Sequence, residues 1–317
     1  MSGIKKLLGA SFIIILLIFL VLPGMAKEVQ SLRKITVLFD WVLNTNHTGL
    51  YVALEKNFYR EEGLDVTIIQ PSEGGSAGLV AAGQGEFGIS YQEQVTFART
   101  SREPLPVVAI AAIIQHNTSG FASPVEKEIR RPRDFEGKKY GGWGSPVERA
   151  TIKALMENDQ ADFNETEMVT IGAMDFFVAV GEHVDYTWIY YGWDGIAAEL
   201  RDYPINFILL QDYAPELDFY TPVIIAHQQL LKQQPELAKK FLRATQRGYQ
   251  YSINFPREAA LVLLQYAPEV DQQLAIASQK YLANHYIADA SQWGIMKKQR
   301  WEDYARWLLE RELITKM

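Results

Sequence analysis

Aromatic, acidic and amide side chains crowd one short segment near the start of the chain. Asp40 and Trp41 directly follow an apolar run, and Asn44 stands just before a helical pattern. In an α/β protein such a segment lies at the carboxyl edge of a sheet, where ligands bind. An indole face beside a carboxylate and an amide could stack on a heterocycle and bind its polar edge. The alternative is that Trp41 belongs to the core and that Asn44 only caps a helix.

A second aromatic cluster also joins an apolar run to a helical pattern. It contains Trp188, Tyr190, Tyr191, Trp193 and Asp194. Because side chains alternate along a strand, Trp188 and Tyr190 share one face and Tyr191 leaves with the turn, so the rings cannot all be core. Ordinary packing explains at least one of the four rings. Asp194 could complement a helix dipole or accept hydrogen bonds from an amino heterocycle.

Glycines gather in a third segment, around Gly142 and Gly144. Ser145 fits a helix N-cap, Pro146 the first helical position and Glu148 the reciprocal residue of a capping box. Capping alone explains these three residues. The glycines indicate in addition a close approach of backbone amides to a ligand.

Other chemistries find little support in the sequence. The segment from Gly83 to Gly88 matches a dinucleotide fingerprint only in spelling, because it precedes a strand, and it predicts a helix-ending turn. The five histidines lack metal-ligand spacing, and neither a Walker loop nor a nucleophile elbow is present. The chain has no cysteine, which excludes disulfides and thiol nucleophiles. We expect no metal and no cofactor, and the formal charge of −7 argues against a nucleic-acid partner.

The elements that must position these segments alternate between strands and helices. Strand patterns cover 35–39, 64–69, 87–90, 107–114, 139–142, 168–171, 186–190, 205–209 and 222–226, and helical patterns lie near 47–61, 76–82, 93–102, 146–158, 174–181 and 193–201. This order predicts parallel sheets with helices on their faces. From Gln228 onward the sequence predicts almost only helices, which begin near 235, 256, 271 and 291.

Two extended crossings divide the exported part of the chain. A charged, proline-bounded segment at 123–134 follows the first crossing, and residues 219–226 can form the second. We therefore expect a discontinuous lobe I of residues 33–119 and 224–317. Residues 120–223 form the predicted lobe II between its two parts.

The N-terminus, residues 1–26, has the pattern of a secretory signal peptide. Lys5 and Lys6 precede an apolar run from Leu7 to Leu22, and small residues end at Ala26. At about 1.5 Å per residue the run spans roughly 24 Å, which is short for a hydrocarbon core of about 30 Å. Cleavage after Ala26 is the favoured interpretation, and an uncleaved membrane anchor is the alternative.

Four motifs together resemble the extracellular solute-binding proteins of ABC importers that are related to eukaryotic thiamine-pyrimidine synthases. They are Asp40-Trp41-x-x-Asn44-x-Asn46-His47-x-Gly49, the turn from Gly83 to Gln92 that includes Tyr91, Gly141-Gly142-x-Gly144-Ser145-Pro146-x-Glu148, and Trp188-x-Tyr190-x-Gly192-Trp193. Within that group the sequence is similar to the formylaminopyrimidine-binding proteins of thiamine salvage. The resemblance implies an α/β, type II periplasmic-binding-protein fold, with two lobes, a two-strand hinge and a helical C-terminus.

The resemblance also implies a ligand and a partner. A thiamine pyrimidine precursor would lie in the cleft, sandwiched between Trp41 and an aromatic ring of 188–193, while Asn44 and an acid such as Asp194 bind its amino and ring-nitrogen edge. A membrane permease would receive the ligand outside the cytoplasmic membrane, in the periplasm or at the cell surface. Relatives in the broader fold bind riboflavin, sulfonates or nitrate, so riboflavin or another heterocycle is the alternative ligand.

The related synthases provide an enzymatic alternative. They use a histidine and a lysine just after the glycine turn, together with a cysteine-rich motif. Here residues 88–100 contain neither lysine nor histidine, and Ser90 follows Phe87, Gly88 and Ile89. The sequence therefore predicts a binding protein that is not an enzyme, with pyrimidine synthesis from pyridoxal phosphate and histidine as the less favoured interpretation.

Overall fold

Ten strands form two five-stranded sheets in the computed structural model, which describes residues 31–70, 75–172 and 174–317. The predicted signal peptide lies outside these residues. The strands are β1 Arg33–Leu38, β2 Leu64–Ile69, β3 Phe87–Ser90, β4 Val107–Ala112, β5 Ser119–Pro124, β6 Lys139–Gly142, β7 Glu167–Thr170, β8 Tyr186–Tyr190, β9 Ile205–Leu209 and β10 Val223–His227. All nine predicted strands are confirmed, and β5 is the strand that the sequence analysis missed.

The two sheets have equivalent strand orders. The first is β2-β1-β3-β10-β4 and the second is β7-β6-β8-β5-β9. In each sheet three neighbouring strands are parallel, and the fourth position holds a strand that is antiparallel to both neighbours. These antiparallel strands, β5 and β10, each follow a crossing from the other sheet. The expected parallel sheets are therefore mixed sheets, because each receives one strand from the far side of a crossing.

Strand β5 lacks the pattern that reveals most strands in a sequence. All six of its residues are buried, so polar and apolar side chains do not alternate. It also contains small residues, and a side chain at Gly120 would collide with the backbone carbonyl of Ile208 on β9. The predicted surface excursion at 123–134 therefore begins inside a central strand.

Helices cover the sheets and make up most of the C-terminal region. They are α1 Thr48–Glu55, α2 Phe58–Glu61, α3 Gly75–Ala81, α4 Gln92–Thr100, α5 Pro146–Asn158, α6 Phe176–Val178, α7 Ile196–Leu200, α8 Leu210–Tyr213, α9 Gln228–Gln233, α10 Pro235–Asn254, α11 Pro256–Leu264, α12 Gln272–Ala283 and α13 Lys298–Glu310. Short π-helical turns, Ala179–His183 and Tyr191–Gly195, adjoin α6 and α7. The helical C-terminus is confirmed, although its last helix begins seven residues after the predicted start at 291. Within the described ranges, no helix has both the length and the apolar character needed to cross a membrane.

A hydrophobic cluster lies under each sheet. In the first, Phe241 of α10 stacks on Phe87 of β3 with ring centroids 4.0 Å apart. In the second, Phe135 stacks on Tyr186 of β8 at 4.3 Å. Helix α13 adds Tyr304, among others, to this second cluster. The last helix, which the predicted boundaries place in lobe I, thus packs with residues of the second sheet, and the boundaries themselves stay a prediction.

Candidate ligand-binding site

The residues predicted to bind ligand all lie at the carboxyl ends of four strands. Asp40, Trp41 and Asn44 follow β1, Tyr91 follows β3, Gly142 ends β6, Gly144 and Ser145 follow it, and Trp188, Tyr190, Tyr191, Trp193 and Asp194 end or follow β8. β1 and β3 are parallel neighbours in the first sheet, and β6 and β8 are parallel neighbours in the second. Each sheet therefore presents two of these strand ends at one edge.

The turn after β1 is held by its own side chains. Asn44 Oδ1 accepts a hydrogen bond from the backbone N–H of Asn46 at 2.9 Å, and the backbone N–H of Asn44 donates to His47 Nδ1 at 3.2 Å. His47 Nε2 lies 3.3 Å from Asp40 Oδ1. The capping role of Asn44 is confirmed, whereas the core alternative for Trp41 is wrong because that side chain is 56% exposed.

The turn after β6 is organised around the buried carboxylate of Glu148, which is 1% exposed. This carboxylate accepts hydrogen bonds from the Tyr140 hydroxyl at 2.5 Å, the Trp143 backbone at 3.0 Å and the Ser145 backbone at 2.7 Å. Ser145 Oγ in turn accepts from the Val147 backbone at 3.1 Å, so the predicted capping box is confirmed. The amides of Trp143 and Ser145 are thereby engaged inside the turn, and the approach of other backbone amides of this turn to a ligand stays a prediction.

The two glycines of this turn serve the same arrangement. A side chain at Gly142 would collide with the Glu148 carboxylate and the Tyr140 ring. Gly144 has a φ of +88°, a conformation that side chains other than glycine rarely adopt. Both glycines are therefore explained by the buried carboxylate and the turn, and contact between these residues and a ligand stays a prediction.

Trp188 is the ring of the second aromatic cluster that belongs to the core. It is 8% exposed, and its edge meets the exposed ring of Trp143 with centroids 5.4 Å apart. Its indole Nε1 has no hydrogen-bond partner among the described residues. An N–H group that is buried without an acceptor is rare and unfavourable. An acceptor from a bound molecule would satisfy it.

The remaining members of that cluster point in different directions. Tyr190 is 39% exposed at the end of β8. The Tyr191 hydroxyl instead donates to Glu199 at 2.6 Å. Trp193 is partly buried in the π-helical turn. Burial raises the pKa of Asp194 to about 6, and the charge of Asp175 adds to the effect. The Tyr191 hydroxyl is therefore directed to Glu199 and away from Tyr190. Asp194 has a second acid, Asp175, in its neighbourhood.

Four side chains, Asp40, Tyr91, Glu93 and Tyr190, lie within electrostatic range of one another and connect the strand ends of the two sheets. Burial raises the pKa of both the Tyr91 and the Tyr190 hydroxyl, and the carboxylates of Glu93 and Asp40 raise both further. For Tyr190 the pKa reaches about 12. Tyr91 and Asp40 follow strands of the first sheet, whereas Tyr190 ends a strand of the second. These side chains are the part of the predicted site that the structure brings together.

Glu93 is a member of this region that sequence reasoning missed. It lies in the first turn of α4, where an acid is expected simply because it complements the helix dipole. Burial raises the pKa of its carboxyl to about 7, and the charge of Glu148 adds to the effect. Its position two residues after Tyr91, just beyond the end of a strand, was the only sequence signal for its role.

In the described ranges, no group of three or more histidine or acidic side chains has the geometry of a metal site. A surface groove of about 300 Å³ lies between Pro215 and α13. None of the predicted ligand-binding residues lines it. The strand ends described above are the candidate site because they hold the predicted ligand-binding residues.

Comparison with known proteins identifies the family. Residues 44–259, more than half of the chain, match the family model described as NMT1/THI5 like. The chain belongs to the NMT1/THI5-like family. This NMT1/THI5-like protein is 28% identical over 292 residues to the formylaminopyrimidine-binding protein of Halalkalibacterium halodurans. The match covers 89% of this chain and 87% of that protein. It is 26% identical to a 4-amino-5-hydroxymethyl-2-methylpyrimidine phosphate synthase of Legionella pneumophila, with 75% of each chain covered.

Solved structures show the same fold at low identity. The NMT1/THI5-like protein matches the periplasmic aliphatic sulphonate binding protein SsuA of Escherichia coli with a TM-score of 0.68 and 12% identity, over 90% of this chain and 89% of that one. It matches the periplasmic nitrate-binding protein NrtA of Synechocystis with a TM-score of 0.60 and 15% identity, over 78% and 70%. The prediction of a periplasmic-binding-protein fold is thereby confirmed.

The position that distinguishes the predicted binding protein from a synthase is buried in this NMT1/THI5-like protein. Ser90 ends β3 and is fully buried. Its hydroxyl donates to Gln94 Oε1 at 2.5 Å. Neither side chain of this pair can form a Schiff base.

Proposed function

We propose that this protein is the extracytoplasmic solute-binding protein of an ABC importer and that it captures a thiamine pyrimidine precursor, formylaminopyrimidine or hydroxymethylpyrimidine. The observation that carries the proposal is the exposed indole of Trp41 beside Asp40, in a region that also holds Tyr91 and Tyr190. Support also comes from the periplasmic-binding-protein fold and from the formylaminopyrimidine-binding relative.

In this proposal the ligand ring stacks between Trp41 and Tyr190. Tyr190 is the favoured partner because its ring is exposed, whereas Trp188 is buried and Tyr191 turns away. Asn44 and Asp194 remain the proposed readers of the polar edge. Stacking of aromatic rings contributes roughly 0.5–1.5 kcal/mol beyond burial, so hydrogen bonds must supply most of the discrimination.

Delivery to a membrane permease completes the proposal. Residues 1–26 would direct export, and the regions of the two sheets would act as lobes that close on the ligand through the two crossings. Binding without catalysis is favoured because the buried Ser90, just before α4, bonds to Gln94 and is not a lysine. Pyrimidine synthesis needs a lysine there that can form a Schiff base.

Calorimetric titration of the mature chain tests this function. The ligands are formylaminopyrimidine, hydroxymethylpyrimidine, thiamine and riboflavin, each added separately. We expect one of the two pyrimidine precursors to bind more tightly than the other ligands. Riboflavin binding without pyrimidine binding would contradict the proposal. A change in visible absorption on addition of pyridoxal phosphate would instead favour the enzymatic alternative.

A further inference from the structure

The first turn of α4 is fixed by a glutamine that contacts two distant parts of the chain. The backbone N–H of Gln92 donates to the carbonyl of Tyr220, and its Oε1 accepts from the Tyr220 backbone, both at 2.9 Å. Its Nε2 donates to the carbonyl of Arg300 on α13 at 3.2 Å. Glu93 is the next residue, so its backbone is held between the second crossing and the C-terminal helix.

Tyr304 lies on the face of α13 that meets this turn. It follows Arg300 by four residues, and residues four apart lie one above the other on a helix. Its side chain is fully buried, and its ring packs on Phe219 with centroids 4.9 Å apart. Its hydroxyl has no hydrogen-bond partner in the described part of the chain. The ring is thus well packed, whereas its polar atom lacks the partner that a buried hydroxyl needs.

The Tyr304 hydroxyl and the Glu93 carboxylate share one environment. Burial raises the pKa of Tyr304 far above its ordinary value, and the charges of Glu93, Tyr190 and Tyr91 raise it further. The Glu93 carboxylate accepts no hydrogen bond and forms no ion pair within the described ranges, and its charged neighbour is Glu148, a second acid. The Glu93 carboxylate and the Tyr304 hydroxyl therefore lie within electrostatic range of each other, and neither has a hydrogen-bond partner among the described residues.

We propose that Glu93 and Tyr304 form a polar subsite of the ligand cleft that binds a nitrogen-bearing hydrogen-bond donor of the ligand, such as an exocyclic amino group or a protonated ring nitrogen. The carboxylate accepts from that nitrogen, and the hydroxyl gains the partner that it lacks. This subsite rests on the proposed function of the cleft and deepens it. It also makes the C-terminal helix a wall of the site, although that helix is more than 200 residues from Trp41 in the sequence.

Two matched ligands test the subsite by calorimetry with the mature chain. One is hydroxymethylpyrimidine, and the other is its analogue in which a carbonyl oxygen replaces the 4-amino group. We expect the wild-type protein to prefer the amino ligand by about 30-fold or more, because a carboxylate repels a carbonyl oxygen. In Glu93→Gln the preference falls about fivefold below the wild-type value, since a carboxamide can also donate, and the remaining preference comes from Asn44 and Asp194.

Two further variants separate binding from folding. Glu103→Gln changes an exposed acid beyond the end of α4 and keeps the wild-type preference. Tyr304→Phe keeps the packed ring and melts at the wild-type temperature, yet it binds the amino ligand several-fold more weakly. It keeps the subsite testable if Glu93→Gln does not fold.

The possible failures are distinguishable. If the wild-type protein binds the amino ligand but Tyr304→Phe and any folded Glu93→Gln keep its affinity and preference, the subsite is overturned and the proposed function stands. If the wild-type protein binds neither ligand and also fails to bind formylaminopyrimidine, the proposed function falls and the subsite falls with it. If it binds formylaminopyrimidine alone, the matched pair is that ligand and its analogue with a carbonyl oxygen in place of the 4-amino group. Loss of preference in Glu103→Gln as well would also overturn the subsite, because the effect would then follow net charge.

Discussion

The two sheets have the same kind of turn at equivalent places, a tryptophan followed by a capping box, but different contacts stabilise the two turns. In each, the first strand of the parallel group leads to an exposed tryptophan, Trp41 after β1 and Trp143 after β6. A capping box follows in both, formed by Asn44 and His47 in one turn and by Ser145 and Glu148 in the other. Two turns at the carboxyl edge thus begin their helices in the same way.

The difference lies in the residue that closes each box. His47 accepts from the Asn44 backbone through Nδ1 and contacts Asp40 through Nε2. Glu148 is a buried carboxylate that needs all three of its donors, and Trp143 in the same turn packs on Trp188. A buried charge forces its surroundings into one arrangement because each lost donor leaves it uncompensated. The second turn is therefore expected to be a rigid wall, whereas the first presents a less packed ring to a ligand.

The largest expected effect comes from breaking the second turn. Glu148→Ala removes the carboxylate and leaves the Tyr140 hydroxyl and two backbone N–H groups without their acceptor. We expect a loss of about 3–5 kcal/mol in the free energy of unfolding, since each unsatisfied buried group costs about 1–3 kcal/mol. Denaturant unfolding measures it.

The matched control for that variant lies on the same helix. Glu157→Ala removes an exposed acid whose oxygen lies 3.7 Å from the Lys153 ammonium. It should change the free energy of unfolding by no more than about 0.5 kcal/mol. Equal effects of the two variants would contradict the special role of the buried carboxylate.

An intermediate effect is expected when the two exposed tryptophans are compared. Trp41→Ala should weaken pyrimidine binding by about 1–3 kcal/mol, roughly 5- to 150-fold, because base–aromatic stacking has that scale. Its melting temperature should stay near the wild-type value, since the ring is more than half exposed. Trp143→Ala loses the contact with Trp188 and should lower stability by about 0.5–1.5 kcal/mol.

Calorimetry and thermal melting of the same two preparations make this comparison. A large drop in the melting temperature of Trp41→Ala, with normal affinity at low temperature, would refute the stacking role. If Trp143→Ala weakened binding more than Trp41→Ala does, Trp143 would be the residue that stacks on the ligand and the turn of Trp41 would be the rigid wall.

The smallest expected effect lies in the connection between the sheets. His116, on the first crossing, contacts Asp218 of the second crossing at 2.7 Å and Asp289 at 2.8 Å. The hydrogen bond to Asp218 is the main reason that the pKa of His116 is raised, and the bond to Asp289 adds to it. Because the folded state favours the protonated ring, this contribution is fully present below the unfolded pKa of about 6.5 and is lost as the pH rises through the folded pKa.

Unfolding measured from pH 5.5 to 8.5 tests this connection. The wild-type protein should lose about 0.5–1.5 kcal/mol relative to His116→Asn over that range. The difference between the two proteins is needed because His285 contributes with the opposite sign: its pKa is lowered by burial and then by His116. Parallel pH profiles would show that the crossings are not joined by a charged histidine.

Local patterns were enough to place most elements, the capping box of Ser145 and Glu148, and the cap at Asn44. Ser145 and Glu148 have the spacing of a box because a helix brings its N-cap and third residue together, whatever the rest of the chain does. Apolar runs located nine strands because a strand that is buried in a sheet consists mainly of apolar residues. Strand β5 escaped because burial on both faces and small residues such as Gly120 erase the alternation.

Contacts between distant segments required the tertiary structure. No pattern in the sequence says that α13 packs with the second cluster, that the charge of Glu148 reaches the partly buried Glu93, or that the charge of Glu93 reaches Tyr304. The sequence of a helix shows which face is apolar, but it does not show which element packs against that face. The sequence alone therefore determined nine of the ten described strands, the helix caps and the exposed aromatic segments. Only the packed chain decided which charged groups and hydroxyls come close to one another.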